Sequence, residues 1–245
     1  MKFTLAIPTN ADWNRLNSMK MSLISNTAEP ENVKVIFIDN CNTNNHNMDT
    51  WFREFQDRWA ERNGQASLIK LPERVGLTTA WKACTDESKT EWTCITNDDL
   101  YFMPAWDTTF KELVERKQEH DIFLLCNPYN WSGFAVNKKF IQDFPWRTEF
   151  PEGYFEDDDI YLRVASANNL HKKSEIYTKA IYNLPYVESR YCFEHRPVHS
   201  KNDSKFHRGW DGPLNKQFFD QWWQEVTPKF PGAIENKNGK YFVKL

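Results

Sequence analysis

Two runs of acidic residues in this 245-residue chain could hold a metal ion or accept a proton. Asn97-Asp98-Asp99 follows the apolar run 92–96, and residues 156–159 are four consecutive acids. Carboxylate oxygens suit Mg²⁺ or Mn²⁺, which often share such ligands with substrate phosphates. A carboxyl group crowded by other acids and by the rings of Tyr154 and Phe155 is expected to have a raised pKa, which suits a general base.

Each acidic run also has a purely structural explanation. Acidic pairs are common in solvated turns, and acids at the start of a helix cap it or complement its dipole. Four acids at 156–159 exceed what capping requires, and their mutual repulsion calls for a compensating partner. Their spacing does not fit an EF-hand loop, which alternates its ligands and has a glycine at the sixth position.

A third polar segment, 194–208, reads EHRPVHSKNDSKFHR. It holds three His, two Lys and two Arg against two acids, a composition that is common in solvated loops. Such a segment could also close over a diphosphate, with one His completing a metal site and the cations neutralising a leaving group. Contact with the phosphates of a nucleic acid would explain the same charges.

The elements that must position these residues alternate along the first hundred residues. Strand-like runs lie at 3–8, 33–38, 67–71 and 92–96, and helical periodicity is found at 12–26, 48–62 and 78–85. This order predicts an α/β fold with a mostly parallel sheet and helices on both faces. Ligands of such sheets bind beyond the carboxyl ends of the strands, so the residues there should meet in one crevice. These residues are Pro8-Thr9, Asp39-Asn40, 72–76 and 97–99.

The second half of the chain is less regular. We expect a helix at 111–118, strands at 122–126, 131–136 and 186–194, a helix opened by the acids at 156–159, a helix at 214–226 and a last strand at 241–244. No segment is typical of a linker. We therefore predict one domain, 1–245, in which the second half completes the first.

The composition limits the classes of function. A net charge of −3 with a pI near 6.1 lacks the overall basic footprint of a nucleic-acid-binding protein. Eleven Trp and nine Tyr serve a core first, and they also suit the flat faces of sugars and bases. Five scattered cysteines without CxxC spacing indicate buried residues in a reducing compartment. With no recognisable signal peptide or membrane span, we expect a cytoplasmic protein of a bacterium or a phage-infected host cell.

Six segments follow one another in a characteristic order: TLAIPTN, VIFIDN, LPERVGLTTAWKAC, CITNDDLYF, WSGFAVN and GYFEDDDIYLRVA. Together they resemble the successive motifs of GT-A-fold glycosyltransferases, most closely those of the inverting family 2 type. The resemblance implies a nucleotide-sugar-binding half at 1–100 and an acceptor-binding half with a C-terminal cap at 101–245. It also implies metal-dependent transfer of a sugar, with inversion, from a nucleoside-diphosphate donor, by analogy UDP-linked, to an acceptor hydroxyl.

The resemblance implies a donor site at the strand ends. Thr9 and Asp39 would meet the nucleobase beside Arg74, and Asp98 would contact the ribose or the metal. The full set of nucleotide-sugar-binding residues would be Pro8, Thr9, Asp39, Arg74, Gly76, Asp98, Ser132 and Gly133, with Lys201, Lys205 and Arg208 closing on the diphosphate.

The resemblance also implies a metal site. Asn97-Asp98-Asp99 stands at the family's DxD motif, with Asn97 in place of the first acid. Asp99 would bind Mn²⁺ or Mg²⁺. Either His195 or His199 would complete the metal shell, and His195 is preferred because it ends a predicted strand.

In the second acidic run, the resemblance places the general base. Asp157 would deprotonate the acceptor hydroxyl, and Asp158 is the alternate because the register could slip by one residue. Glu156 and Trp131 would contact the acceptor.

Other functions fit part of these observations. A sugar nucleotidyltransferase shares the fold class, but it normally has a glycine-rich loop where this chain reads PTNADWN. A non-catalytic nucleotide- or carbohydrate-binding protein would keep the pocket and lose the chemistry. For the acceptor we expect a glycan or glycoconjugate, and the alternative is a phage-type enzyme that glycosylates hydroxymethylated bases in DNA.

Overall fold

The computed structural model of the protein describes residues 1–40, 46–116, 121–127, 131–149, 159–160, 163, 192–195, 221, 224–225, 228, 234–237 and 240–243. At 46, 127, 194–195, 234–237 and 240–243 the description covers the backbone alone. The chain forms two compact units, the first from Met1–Val75, Ala80–Pro145 and Val187–Val198, and the second from Gly76–Thr79, Trp146–Tyr186 and His199–Leu245. The single domain with halves 1–100 and 101–245 stays a prediction.

The first unit is built on a six-stranded sheet with a smaller sheet beside it. Its strands are β1 (Phe3–Thr9), β2 (Val33–Asp39), β3 (Gln65–Lys70), β4 (Trp92–Thr96), β5 (Leu100–Phe102), β6 (Ile122–Leu124), β7 (Cys126–Asn127), β8 (Gly133–Asn137) and β9 (Phe193–His195). The large sheet has the order β3-β2-β1-β4-β8-β6, and the small one has the order β5-β9-β7. Strands β1 to β4 are parallel, whereas β8 is antiparallel to both β4 and β6. The predicted α/β fold with a mostly parallel sheet is therefore confirmed.

Three helices connect the parallel strands as predicted, with shifted ends: α1 (Trp13–Asn26), α2 (His46–Ala60) and α3 (Leu77–Glu87). Helix α4 (Trp106–Arg116) overlaps the helix predicted at 111–118, and α5 (Lys138–Asp143), which follows β8, was not predicted. Helix α1 begins after Asp12, whose carboxylate accepts hydrogen bonds from the backbone N–H groups of Asn14 and Arg15. Its apolar positions Leu16 and Leu23 are fully buried, as the helical spacing in the sequence predicts.

Aromatic side chains fill the core of the first unit. The ring of Phe37 on β2 meets Trp51 and Phe55 on α2 edge-on, at centroid distances of 5.2 and 5.0 Å. Seven of the eight tryptophans among the described residues are buried. In this part of the chain the excess of Trp therefore serves packing, and it is no evidence for a glycan-stacking face.

The described residues of the second unit include a β-hairpin. Strands β10 (Ile234–Lys237) and β11 (Lys240–Val243) pair antiparallel across a two-residue connection. The last strand was predicted at 241–244, but its partner was not. Most of the predicted strand at 186–194 and of the predicted helix at 214–226 lies outside the described residues.

Within the described part of the chain, no helix combines the length and the apolar character needed to cross a membrane.

Candidate functional site

The candidate site lies at the carboxyl ends of β1, β2 and β4. Strand β1 lies between β2 and β4, so the strand order reverses beside it. A crevice for ligands forms outside the strand ends at such a reversal. Thr9 at the end of β1 is the register partner of Asp39 at the end of β2, and Asn97 to Asp99 follow β4 directly. The sheet therefore brings three of the four segments in which we expected ligand-binding residues to one edge, and the fourth, the loop after β3, reaches the same edge. Pro8 is buried within β1.

A short hydrogen bond joins the ends of β1 and β4. The Thr9 hydroxyl donates to Oδ2 of Asp98 at 2.6 Å, and the hydroxyl oxygen of Thr9 itself accepts the backbone N–H of Ala11 at 2.9 Å. Thr9 is buried, whereas Asp98 is partly exposed. The hydroxyl thus fixes the orientation of the Asp98 carboxylate, a contact that the sequence did not predict. The nucleobase contact expected of Thr9 stays a prediction.

Asp98 is an unusual carboxyl group. Loss of solvation raises its pKa from the ordinary 3.8 to about 6, because removal from water disfavours the charged form. The hydrogen bond from Thr9 opposes this rise, the charge of Asp99 adds to it, and Arg15 opposes it. At neutral pH the charge on Asp98 is therefore held at a cost, which a nearby cation would relieve.

The raised pKa of Asp98 predicts how stability depends on pH. Between about pH 4 and 6 the folded chain binds a proton that the unfolded chain has released, so the free energy of unfolding falls as the pH rises through this window. Above about pH 6 the ionised Asp98 lowers the free energy of unfolding by a constant amount, on the order of 1–3 kcal/mol. In EDTA, Asp98→Asn should therefore have a higher Tm than the wild type at about pH 8, and this advantage should vanish near pH 4. A Tm difference that is equal at both pH values would contradict the assignment.

The two carboxylates fit a divalent cation that is shared with a diphosphate. Asp98 and Asp99 adjoin each other at the crevice, and Asp99 is partly exposed. No group of three or more His, Cys, Asp or Glu side chains able to hold a metal occurs among the described residues. Mg²⁺ commonly needs only one or two protein carboxylates and takes its other ligands from substrate phosphates and water. The donor set therefore suits a metal that binds together with a substrate.

Strand β9 runs beside the segment that follows the acids. His195 is the register partner of Leu100, the residue next to Asp99 in the chain. This pairing brings the backbone of His195 close to the candidate metal ligands, although its side chain is outside the described atoms. Its role in a metal shell stays a prediction.

The loop after β3 carries Arg74 to the same edge of the sheet. The N–H of Leu71 donates to the carbonyl oxygen of Asp39 at 3.0 Å, which extends the β2–β3 ladder by one residue. Arg74 itself is exposed. Gly76 is buried and directly precedes α3. Their nucleotide-binding roles stay predictions.

Ser132 and Gly133 lie beside Asn97. The N–H of Asn97 donates to the carbonyl oxygen of Ser132 at 2.7 Å. A Cβ atom on Gly133 would lie 2.6 Å from Cδ2 of Phe193 and 2.9 Å from Cδ1 of Leu100. Glycine at 133 is therefore required by the packing of β5 and β9 against β8, whether or not it also contacts a donor sugar.

Gly133→Ala should destabilise the protein by about 1–3 kcal/mol, since overpacking forces the rigid ring of Phe193 to move. For a chain of this length that corresponds to a loss of roughly 2–12 °C in Tm. Gly64→Ala is a matched control, because its Cβ would meet the Trp59 ring at 2.3 Å at the start of β3, away from the crevice. Thermal unfolding of both variants checks this, and an unchanged Tm for Gly133→Ala would contradict the packing role.

Trp131 is buried, with 5% of its surface exposed. Its ring stacks on Trp81 at a centroid distance of 5.9 Å and meets Phe134 edge-on at 4.6 Å. Trp131 therefore packs as part of the core. If Trp131 also forms a wall of the acceptor pocket, as predicted, only the small exposed part of its ring contacts the acceptor.

The second acidic run is described at its last member. Asp159 is 3% exposed, and its carboxylate binds Nη1 of Arg147 at 3.2 Å and Nε of Arg163 at 2.8 Å. Arg147 also pairs with Glu149 at 2.8 Å and Glu225 at 3.6 Å. Asp159 thus has a structural role in the second unit. Arg147 and Arg163 supply the compensating positive charge that the acidic run called for.

Several predicted site residues lie outside the described part of the chain. They are the candidate bases Asp157 and Asp158, the acceptor residue Glu156, the metal ligand His199 and the diphosphate-binding residues Lys201, Lys205 and Arg208.

The sequence decides the family. Residues 4–174, more than half of the chain, match the glycosyl transferase family 2. The chain belongs to glycosyl transferase family 2. The matched segment contains Thr9, Asp39, the Asn97-Asp98-Asp99 motif and the acidic run 156–159, so the predicted resemblance is confirmed.

Solved structures of low sequence identity share the fold. The mannosyltransferase PcManGT from Pyrobaculum calidifontis, in complex with GDP-Man and Mn²⁺, has a TM-score of 0.53 at 13% identity over 68% of this chain and 53% of that chain. TarS 1–349 from S. aureus has a TM-score of 0.51 at 13% identity over 68% of this chain and 56% of that chain. In complex with UDP, TarS 1–349 has a TM-score of 0.52 at 10% identity over 100% of this chain and 96% of that chain.

The chain spans about half the length of PcManGT and of the first of these TarS 1–349 structures. At identities this low the likeness concerns the fold alone. No curated protein matches the chain.

Proposed function

We propose that this protein transfers a sugar from a nucleoside-diphosphate donor, UDP-linked in the simplest case, to an acceptor hydroxyl with inversion at the anomeric carbon. One observation carries the proposal. Within the family-matched segment, the Thr9 hydroxyl holds the carboxylate of Asp98 beside Asp99 at the point where the strand order reverses. That arrangement suits a diphosphate shared with a divalent cation.

The metal would be Mn²⁺ or Mg²⁺, held by Asp99 with Asp98 beside it. When bound, such an ion supplies positive charge that stabilises a departing diphosphate. His195 is the preferred third ligand because its backbone pairs with Leu100, and His199 is the alternate. The complex of PcManGT with GDP-Man and Mn²⁺ supports a divalent metal by analogy of fold.

The nucleotide would lie across the ends of β1 and β2. Thr9, Asp39 and Arg74 would contact the nucleobase and ribose, and Pro8 and Gly76 would line the same pocket. Ser132 and Gly133 would lie beside the donor sugar. Lys201, Lys205 and Arg208 would neutralise the diphosphate as it leaves.

The chemistry would be a single in-line displacement. The Asp157 carboxylate, or Asp158 in the alternate register, would take the proton from the acceptor hydroxyl. At the same time the oxygen of that hydroxyl would form a bond to the anomeric carbon. The bond from that carbon to the diphosphate oxygen breaks, and its electron pair leaves with the nucleoside diphosphate. Glu156 and Trp131 would hold the acceptor. The acceptor would be a glycan or glycoconjugate, which is the family's commonest acceptor, and the protein would be cytoplasmic.

Thermal shift with nucleotide-sugars tests the proposal. UDP-glucose, UDP-GlcNAc and GDP-mannose would each be added to the wild type in Mn²⁺ and in EDTA. We expect at least one donor to raise Tm in Mn²⁺ and to have little effect in EDTA, because binding to the native state alone stabilises it. If no donor changes Tm in either condition over millimolar concentrations, the proposal is wrong.

A further inference from the structure

The side chain of Asn40 holds the loop that follows β3. Asn40 lies directly after β2 and is 7% exposed. Its Nδ2 donates to the carbonyl oxygen of Val75 at 2.9 Å, and its Oδ1 accepts the N–H of Val75 at 2.8 Å. Its own N–H donates to the carbonyl oxygen of Thr9 at 2.9 Å. One buried amide therefore satisfies both backbone groups of a residue 35 positions away.

This clamp closes a short loop. At the near end, the N–H of Leu71 is bound to the carbonyl oxygen of Asp39. At the far end, Val75 is bound to the side chain of Asn40. Between these two attachments lie residues 72–74, all exposed, and the last of them is Arg74. Both attachments come from the adjacent residues Asp39 and Asn40, so the loop is tied to the end of β2 at each side.

The chemistry of the clamp requires an asparagine. The pair of bonds to Val75 needs a donor and an acceptor on one short planar group, which an amide provides and a carboxylate does not. Without the amide, the N–H and carbonyl groups of Val75 would lose these partners, and residues 72–75 would gain conformational freedom. The position of Arg74 relative to Asp39 would then no longer be fixed.

We propose that Asn40 is a positioning residue for the nucleotide donor: its amide clamp on Val75 holds Arg74 in a fixed relation to Asp39 before the nucleotide binds. The inference rests on the proposed function, in which Asp39 and Arg74 contact the nucleobase. Pre-organised groups bind more tightly because the ordering cost is met during folding. The clamp therefore acts on donor affinity and has little effect on the transfer step.

Asn40→Ala and Asn40→Asp test the clamp, and Asn137→Ala is a matched control. The Asn137 amide also makes one donor and one acceptor bond, to Asp121 at 2.7 Å and from the N–H of Phe140 at 2.8 Å. Asn137 is the register partner of Trp92 at the amino end of β4, which is the opposite edge of the sheet from the crevice. Both alanine variants should lose stability, which separates general destabilisation from an effect on binding.

We expect calorimetric titration with UDP in Mn²⁺ to show about tenfold weaker binding for both Asn40 variants and unchanged binding for Asn137→Ala. With a UDP-sugar, the donor KM of Asn40→Ala should rise by a similar factor while kcat changes less than twofold. Hydrogen exchange of the Val75 N–H should accelerate in Asn40→Ala and stay unchanged in Asn137→Ala.

Equal UDP affinity in Asn40→Ala and Asn137→Ala would overturn the positioning role, even if both variants were destabilised. Unchanged hydrogen exchange of the Val75 N–H in Asn40→Ala would overturn it as well. A wild type that binds neither UDP nor GDP would contradict the proposed function, and this inference with it. If the wild type binds UDP and Asn40→Ala binds it equally tightly, this inference is wrong and the proposed function is not affected.

Discussion

Asp157→Asn should reduce kcat for sugar transfer by about 1,000-fold and leave the affinity for the donor nucleotide nearly unchanged. A positioned general base contributes typically 10²- to 10⁴-fold, and an amide cannot take the proton of the acceptor hydroxyl. The effect should fall on the transfer step because Asp157 is assigned to the acceptor and not to the nucleotide. Steady-state kinetics with a donor identified by thermal shift, together with calorimetric titration of UDP, would separate the two quantities.

Two neighbouring acids provide controls for the assignment of the base. Asp158→Asn makes the same chemical change one residue along, and it should carry the loss only if the register differs by one. Asp159→Asn removes a carboxylate that binds Arg147 and Arg163, so it should lower Tm. If Asp157→Asn and Asp158→Asn both retain near-wild-type kcat with the donor bound, neither residue is the base.

Asp99→Asn should weaken the Mn²⁺-dependent binding of UDP by about 100-fold or more. Loss of a residue that only supports a metal ligand typically costs 10- to 100-fold, so loss of a ligand should cost at least as much. In EDTA the variant and the wild type should bind UDP with similar, weak affinity, because the carboxylate acts through the metal. Calorimetric titration in both conditions measures the effect, and a variant that binds UDP as the wild type does in Mn²⁺ would contradict a metal role for Asp99.

Asn97 permits the converse experiment. The proposed site places Asn97 where a DxD motif has its first acid. Its backbone N–H donates to the carbonyl oxygen of Ser132 in a bond that no side-chain change removes. Asn97→Asp should therefore preserve the local backbone and increase the affinity for Mn²⁺. An unchanged or lower affinity would mean that position 97 does not face the metal.

The sequence predicted which strand ends meet at one edge of the sheet, because local patterns determine this part of the fold. Alternating apolar runs specify parallel strands, and the carboxyl ends of parallel strands share one edge of a sheet. Thr9, Asp39 and Asp98 were therefore placed together although they are far apart in the chain. Composition was a poorer guide, because seven of the described tryptophans are buried and serve the core.

Contacts that depend on tertiary structure could not be predicted from the chain. The Thr9–Asp98 bond joins residues 89 positions apart, and nothing local to either residue indicates it. The Asn40 clamp is similar, because an asparagine after a strand is equally typical of a turn. The antiparallel direction of β8 depends on its pairing with β4 and β6, which its own residues do not specify.

The hairpin of β10 and β11 has a local signal in the sequence. The two residues between its strands are Asn238 and Gly239, and Asn-Gly favours a two-residue hairpin turn because both central positions need a positive φ. The last strand was predicted, and this dipeptide would have predicted its partner as well.

The most direct test is to measure nucleoside diphosphate released from UDP-glucose, UDP-GlcNAc and GDP-mannose by the wild type, in Mn²⁺ and in EDTA. Slow transfer to water replaces the unknown acceptor in this assay. We expect release from at least one donor in Mn²⁺, loss of that release in EDTA, and loss of it again in Asp99→Asn. Release that is equal in Mn²⁺ and EDTA would contradict a metal-dependent donor site at Asp98 and Asp99. Failure of all three donors to be cleaved or bound would contradict glycosyl transfer by this protein.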